Sequence, residues 1–372
     1  MGKTFCAGYG IGLFKLKTLI IVHRDNLRTQ WVGSLCKMNG FTSKEIHEIV
    51  STEEVFDIVN GFYKPNYDVY LITHATFRAS LSRIGSLHDM EKFTENLGIG
   101  LKIIDEAHLE FRNTLTMDAV MNVKRNIYMT ATNARSAKEE NAIFKYAFSN
   151  TIFYKESTTL TDNRPKKWVD YITVCVNTHC KPNIYHYRVV GSKNMNSATY
   201  GRWVIKYDKS HTHFKACRDL VRMTYEEDPH SKMIVFMPLI DLCDEFQEFL
   251  FSLNTDKSFD YELEIRTMHS RNSKSENDRA KQADIIITTI GSAGTGTDIP
   301  GITDIICCSP FHSLVTAEQV FGRIRYIPKK CHYYDIYDES VLMDKIWLKN
   351  RSKLFKAKAL SYSNIIWVDD NN

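Results

Sequence analysis

Asp105 and Glu106 stand side by side where the apolar run "LKIID" ends. In an open parallel sheet, ligands bind outside the carboxyl ends of the strands. Two adjacent acids at such an end fit a magnesium nucleotide: one carboxylate serves the metal, and the other orients or deprotonates an attacking water. The same pair also fits a strand-terminal turn with solvated acids. Upstream, Gly2, Lys3 and Thr4 follow the order in which a phosphate-binding loop ends. There a lysine neutralises terminal phosphates and a hydroxyl ligates Mg2+. Downstream, "MTATN" sets Thr130, Ala131 and Thr132 beyond another apolar run. They read either as a relay between a metal site and a neighbouring domain or as a loop of hydroxyl turns.

The second half carries its own candidates. "TTIGSAGTGTDIP" (288–300) is glycine-rich, so backbone can approach a ligand near Gly296 while Asp298 accepts hydrogen bonds. A flexible strand-to-helix turn has the same composition. "TAEQVFGRIRY" (316–326) predicts a helix that puts Gln319 and Arg323 on one face at i,i+4. An arginine facing a nucleotide stabilises charge on a transferring phosphoryl group; a lone one is a solvated surface charge. Arg325 falls about 200° from Arg323 on such a helix. It shares the site only if the helix ends near this point, and Pro328 makes such an end plausible.

These residues need elements to hold them. "TLIIV" (18–22), "DVYLIT" (68–73), "LKIID" (101–105) and "RNIYMT" (125–130) are short apolar runs separated by amphipathic stretches. The pattern predicts a parallel sheet with crossover helices. A polar stretch with a proline, near 155–168, reads as a linker. Beyond it come strands at "VDYITVCV", "KMIVFM", "LEIRTM", "DIIITTI", "DIICCS" and "HYYDIY", with a helix at 239–253. A basic helix from Val341 to Leu360 closes the ordered part. The organisation expected is α/β, with one domain over 1–160 and another over 166–372, the latter holding an irregular insertion at about 177–212.

Composition sets the outer limits. The chain has 372 residues, 43% hydrophobic and 25% charged, with no apolar run long enough to span a bilayer and no signal-peptide pattern. A soluble cytoplasmic protein is expected, in host cytoplasm if phage-encoded. A net charge of +4 permits nucleic-acid binding without arguing for it. Nine cysteines without a C-x-x-C pair read as reduced thiols. The grouping Cys175, His179, Cys180, His211, His213 and Cys217 matches no standard zinc spacing.

Taken in order, the segments resemble superfamily 2 helicases and translocases. "GKT" matches the end of motif I, "LIIVHRDNLRTQW" resembles Ia, "LITHATF" Ib, "DEAH" II and "TAT" III. "IVFMP" resembles IV, "TTIGSAGTGTDIP" V and "QVFGRIR" VI. The "HRDNLRTQW" style is most similar to phage DNA helicases of the UvsW type. The resemblance implies two RecA-like domains with ATP and Mg2+ between them. It places Gly2, Lys3, Thr4, Asp105 and Glu106 at the nucleotide from the first domain, with Thr4 and Asp105 serving the metal. Gln319, Arg323 and Arg325 serve it from the second, with Gly296 and Asp298 nearby, and Thr130 to Thr132 couple the domains. It places Arg24, Arg28, Thr73, His74, Thr288 and Thr289 on the phosphates of DNA. The implied activity is ATP-driven unwinding or branched-DNA remodelling in phage replication, recombination or repair. The rival readings are a non-hydrolysing nucleic-acid-binding remnant and the motor of a larger restriction or remodelling system. The first half of the phosphate loop is missing before "GKT". An upstream segment is therefore expected to complete it, and the 372-residue chain alone is expected to hydrolyse ATP slowly or not at all.

Overall fold

Every residue of "TLIIV" is buried. That is what a β-branched, apolar run does when helices cover a parallel sheet on both faces. The computed structural model describes residues 3–107, 111–130, 142–143, 146–148, 168–180, 196–255, 262–293 and 299–369. The chain divides into two compact units, residues 1–153 and 154–372.

In the first unit the strands are β1 (Thr18–Val22), β2 (Ile46–Glu48), β3 (Val69–Thr73), β4 (Leu101–Ile104) and β5 (Arg125–Tyr128). They form a sheet in the order β2-β3-β1-β4-β5, with every pairing parallel. Side chains alternate across it. Ile20, Val22 and Ile103 point to one face, where α1 (Lys3–Phe14) adds Ala7 and Ile11 and α2 (Asp25–Asn39) adds Trp31 and Leu35. Leu19, Ile21 and Ile104 point to the other, against Val55, Ile58, Phe77 and Phe93 from helices that follow β2 and β3.

The second unit has a sheet in the order β12-β6-β11-β10-β7-β9-β8, again parallel throughout. Its strands are β6 (Val169–Val176), β7 (Met233–Met237), β8 (Ile265–Met268), β9 (Ile285–Thr289), β10 (Asp304–Cys307), β11 (Cys331–Asp338) and β12 (Ser361–Ile366). The helix Leu342–Lys358 is tied down by Arg351, which is fully buried. Its guanidinium donates to both oxygens of Asp335 at 2.9 to 3.1 Å and to the Phe311 carbonyl at 3.3 Å. The Tyr171 hydroxyl donates to the same carboxylate at 2.9 Å. A buried pair with this many hydrogen bonds offsets its desolvation.

Two expectations change. The basic helix does not end the ordered part, because β12 follows and pairs in parallel with β6. It is an exposed edge strand, held by Thr173 Oγ1 donating to Asn364 Oδ1 at 2.8 Å and by the Trp367 amide donating to the Cys175 carbonyl at 2.9 Å. The segment 177–212 is not wholly irregular. Ser197–Tyr200 is a helical turn, Gly201–Ile205 a π-turn, and Thr212 opens the helix Thr212–Glu227. Tyr200, Val204 and Ile205 enter the core, which fixes residues 196–212.

Candidate nucleotide and nucleic-acid sites

Parallel pairing puts every strand's carboxyl end on the same edge of its sheet. In the first unit that edge gathers His23 and Arg24 after β1, His74 after β3, Asp105 and Glu106 after β4, and Thr130 after β5. A crossover helix runs antiparallel to its strands. The start of α1, with Lys3 and Thr4, therefore lies toward this same edge. Thr4 is half-buried there.

Hydrogen bonds on both sides pin the acidic turn. The Asp105 amide donates to the Ile21 carbonyl, the Met129 amide to Ile104, and the Ala107 amide to Met129, each at 2.9 Å. Between them Glu106 takes φ 49°, a left-handed conformation uncommon for a residue with a side chain. Such strain persists where the surroundings over-determine it, and it clusters at functional sites. Asp105 is 9% exposed, and Trp31 Nε1 donates to its Oδ2 at 2.9 Å. The sequence pattern around Trp31 assigns it no role. The contact joins residues 74 apart, so no local spacing announces it. A fixed carboxylate and the Thr4 hydroxyl are hard oxygen donors of the kind Mg2+ takes.

The expected phosphate contacts fare differently. Arg24, at the N-cap of α2, is half-buried. The Arg28 guanidinium donates to the Ile49 carbonyl at 2.9 Å and pairs with Asp25 at 2.9 Å, inside the unit. Thr73 Oγ1 accepts from the Thr76 amide at 3.1 Å and caps the helix His74–Ile84. His74 is 2% exposed, and burial together with neighbouring His23 and Arg78 pushes its pKa down to about 4. The side chains of Arg28, Thr73 and His74 thus shape this edge from within.

In the second unit the ends of β7, β9 and β10 surround a cavity of about 700 Å3. Thr289, Arg202, Arg271, His312 and Thr316 line it. Thr289 accepts from the Ser292 amide at 3.1 Å and stays half-buried at the wall. Thr288 is fully buried, and its hydroxyl donates to the Met268 carbonyl at 2.5 Å, so it faces the sheet interior and not a ligand.

The helix carrying Gln319 is Leu314–Phe321, capped by Ser313, whose Oγ accepts from the Thr316 amide at 3.2 Å. It is shorter than the expected 316–326 and ends two residues before Arg323, which follows it in a turn. Gly322 closes it, and the Arg323 amide turns back to the Val320 carbonyl at 3.1 Å. Ile324 then enters the core, and its carbonyl accepts from Trp168 Nε1 at 3.2 Å, while the Trp168 ring meets Tyr326 edge-on. Arg323 is half-buried and Arg325 exposed. Trp168 is a second residue that sequence reasoning missed. Gly2, Ala131, Thr132, Gly296 and Asp298 lie outside the described residues, as does the side chain of Lys3. Among the described residues no group of three or more His, Cys, Asp or Glu is set to hold a metal, and no helix is long and apolar enough to cross a membrane.

Residues 1–135 match the family model described as type III restriction enzyme, res subunit, and residues 212–326 match the helicase conserved C-terminal domain. Transcript termination protein A18 of Yaba-like disease virus is 22% identical over 337 residues, covering 87% of this chain and 62% of that protein. The chain therefore spans less than two thirds of that relative's length. S. cerevisiae Dbp5 bound to RNA and ADP BeF3 aligns with a TM-score of 0.61 at 14% identity, over 98% of this chain and 83% of that one. A fragment assigned as an HsdR subunit of a type I restriction enzyme from Vibrio vulnificus YJ016 aligns with a TM-score of 0.57 at 15% identity, over 94% and 57%. The solved structures share the fold, two RecA-like α/β domains. The family matches, one in each unit, support a superfamily 2 helicase.

Proposed function

We propose that the chain is an ATP-dependent translocase that moves on DNA and remodels duplex or branched substrates. The observation that carries the reading is the acidic turn. Asp105 is held by Trp31 at a strand's carboxyl end, and Glu106 is locked beside it in a strained backbone. A carboxylate kept in place this way is ready to act without reorganising.

When bound, MgATP supplies the phosphoanhydride whose hydrolysis drives the motor. Thr4 and Asp105 would hold the metal, and Lys3 would neutralise the terminal phosphates. Glu106 would orient the attacking water and accept its proton. Arg323, at the helix end beside Gln319, would stabilise developing charge, with Arg325 further out. Thr130, Ala131 and Thr132 would couple the nucleotide state to domain movement, and Gly296 and Asp298 would stand near the nucleotide. Arg24 and the backbone at Thr73 and His74 would hold strand phosphates, as would Thr289 at the mouth of the second unit's cavity. The resemblance of "HRDNLRTQW" to phage UvsW-type helicases favours work in phage replication, recombination or repair. The viral relative's name favours a second reading, remodelling of nucleic acid at the end of transcription.

Glu106→Gln keeps shape and removes the base. Strand-stimulated ATP hydrolysis should be abolished while nucleotide affinity stays within a few-fold. With a parent that hydrolyses ATP, equal turnover in variant and parent rejects the role.

A further inference from the structure

The π-turn Gly201–Ile205 carries a feature that no expected motif uses. Trp203 and Tyr207, at i,i+4, stack on each other with ring centroids 5.1 Å apart and planes 5° from parallel. Both stand out from the surface, 37% and 64% exposed. Aromatic rings of this size are normally buried, and these two flank residues that are, Val204 and Ile205.

The turn's position is fixed. A Cβ on Gly201 would lie 2.8 Å from Pro238 Cγ and 3.1 Å from Leu239 Cδ1. Only glycine lets the turn sit this close to the segment leaving β7. Pro238 and Leu239 both line the cavity at the strand ends, and so does Arg202. The π-turn thus sets Arg202 on the cavity wall, with the exposed Trp203 next to it in the turn. π-turns within helices recur at functional sites. This stretch carries Arg202, Lys206 and Lys209 against Asp208, and on the cavity wall Arg202 and Arg271 stand against Asp241. Asp208 is occupied in capping, accepting from the Thr212 amide at 2.6 Å. Lys206 reaches Glu245 at 3.2 Å from an exposed position, which leaves it within reach of other anions.

We propose that the Trp203–Tyr207 pair is a stacking platform for an unpaired base of a single strand that runs into the cavity, with Arg202 on the adjoining phosphate. Parallel aromatic faces beside a basic groove are how proteins hold single strands without reading sequence. The inference rests on the reading of the chain as a nucleic-acid motor and adds a contact absent from that reading.

The test is the affinity of the full chain for single-stranded DNA and RNA oligonucleotides, each compared with its abasic counterpart. Trp203→Ala should weaken binding at least about 5-fold, the loss of one base stack. It should also abolish the preference for intact over abasic strands. Trp203→Phe, which keeps a stacking face and guards against a folding artefact, should bind within about 2-fold of the parent. Arg202→Ala should lower the salt slope by about 0.7, which Trp203→Ala should leave alone. A parent that binds strands, but loses nothing with Trp203→Ala or with an abasic strand, overturns the platform alone. A parent that binds no strand overturns the motor reading and the platform with it. A loss confined to RNA or to DNA keeps the platform and names the strand.

Discussion

Two side chains show how much of the site depends on single contacts. Trp31→Phe keeps the ring's packing and removes the N–H that reaches Asp105. Partners that orient a metal ligand are typically worth 10- to 100-fold in activity. The variant's kcat should therefore fall by about that factor, while stability falls by roughly 1–3 kcal/mol for one charge-assisted hydrogen bond. If steady-state hydrolysis is unchanged, Asp105 does not need Trp31. His74 makes a different prediction. Its pKa is pushed down to about 4 by burial, with His23 and Arg78 adding repulsion, and neither ring nitrogen meets a hydrogen-bond partner among the described residues. The unfolded chain binds the proton near pH 6.5, ahead of the folded one. Stability from the neutral ring is thus complete above about pH 6.5 and lost as pH falls toward 4, by roughly 3 kcal/mol. His74→Met should flatten denaturant-derived stability across that window, and an unchanged slope counts against the buried neutral ring.

Elements were legible in proportion to how fully they are buried. The interior strands β1, β3, β4, β7 and β9 are apolar nearly throughout, and such runs announce themselves. The placement of Asp105 and Glu106 at a strand end followed from that alone. Two strands did not show in the pattern: β2 has three residues, and β12 is an exposed polar edge whose hold comes from β6. The helix carrying Gln319 ran too far in the sequence reading because "GRIRY" keeps helix formers after the glycine. What stops it is tertiary, the burial of Ile324 and its bond to Trp168. Gly322 permits the stop, since a Cβ there would lie 2.9 Å from the Glu318 carbonyl oxygen. Gly322→Ala must shift backbone, at a cost of roughly 1–3 kcal/mol. Because Arg323 follows directly, kcat should fall more than the thermal melting point suggests. Proportional small losses in both would mean that Arg323 tolerates displacement.

Over the whole molecule, charge decides what kind of binding is open to it. With 48 basic and 44 acidic residues, the net charge of +4 is too small for a general attraction to nucleic acid. Affinity must come from local clusters, and much of the basic charge is already committed. Arg28 is bonded within its unit, Arg351 is sealed in the core, and Arg271 faces Asp241 at 2.6 Å. A motor that tracks backbone nonetheless has to hold phosphates, because sequence-blind movement leaves base edges unread. The reconciling arrangement is a small number of phosphate contacts, around Arg24 on the first unit and Arg202 on the second, with stacking adding the rest. A strand held through roughly four phosphates releases about 0.7 counterion for each, so affinity should drop on the order of 50-fold between 50 and 200 mM salt. Homopolymers of different base should differ far less than that. Titrating one labelled strand across that salt range, and then several sequences at one salt, measures both quantities. A flat salt curve together with one strongly preferred sequence would mean that the chain reads bases at a fixed site, and a reader of that kind does not translocate.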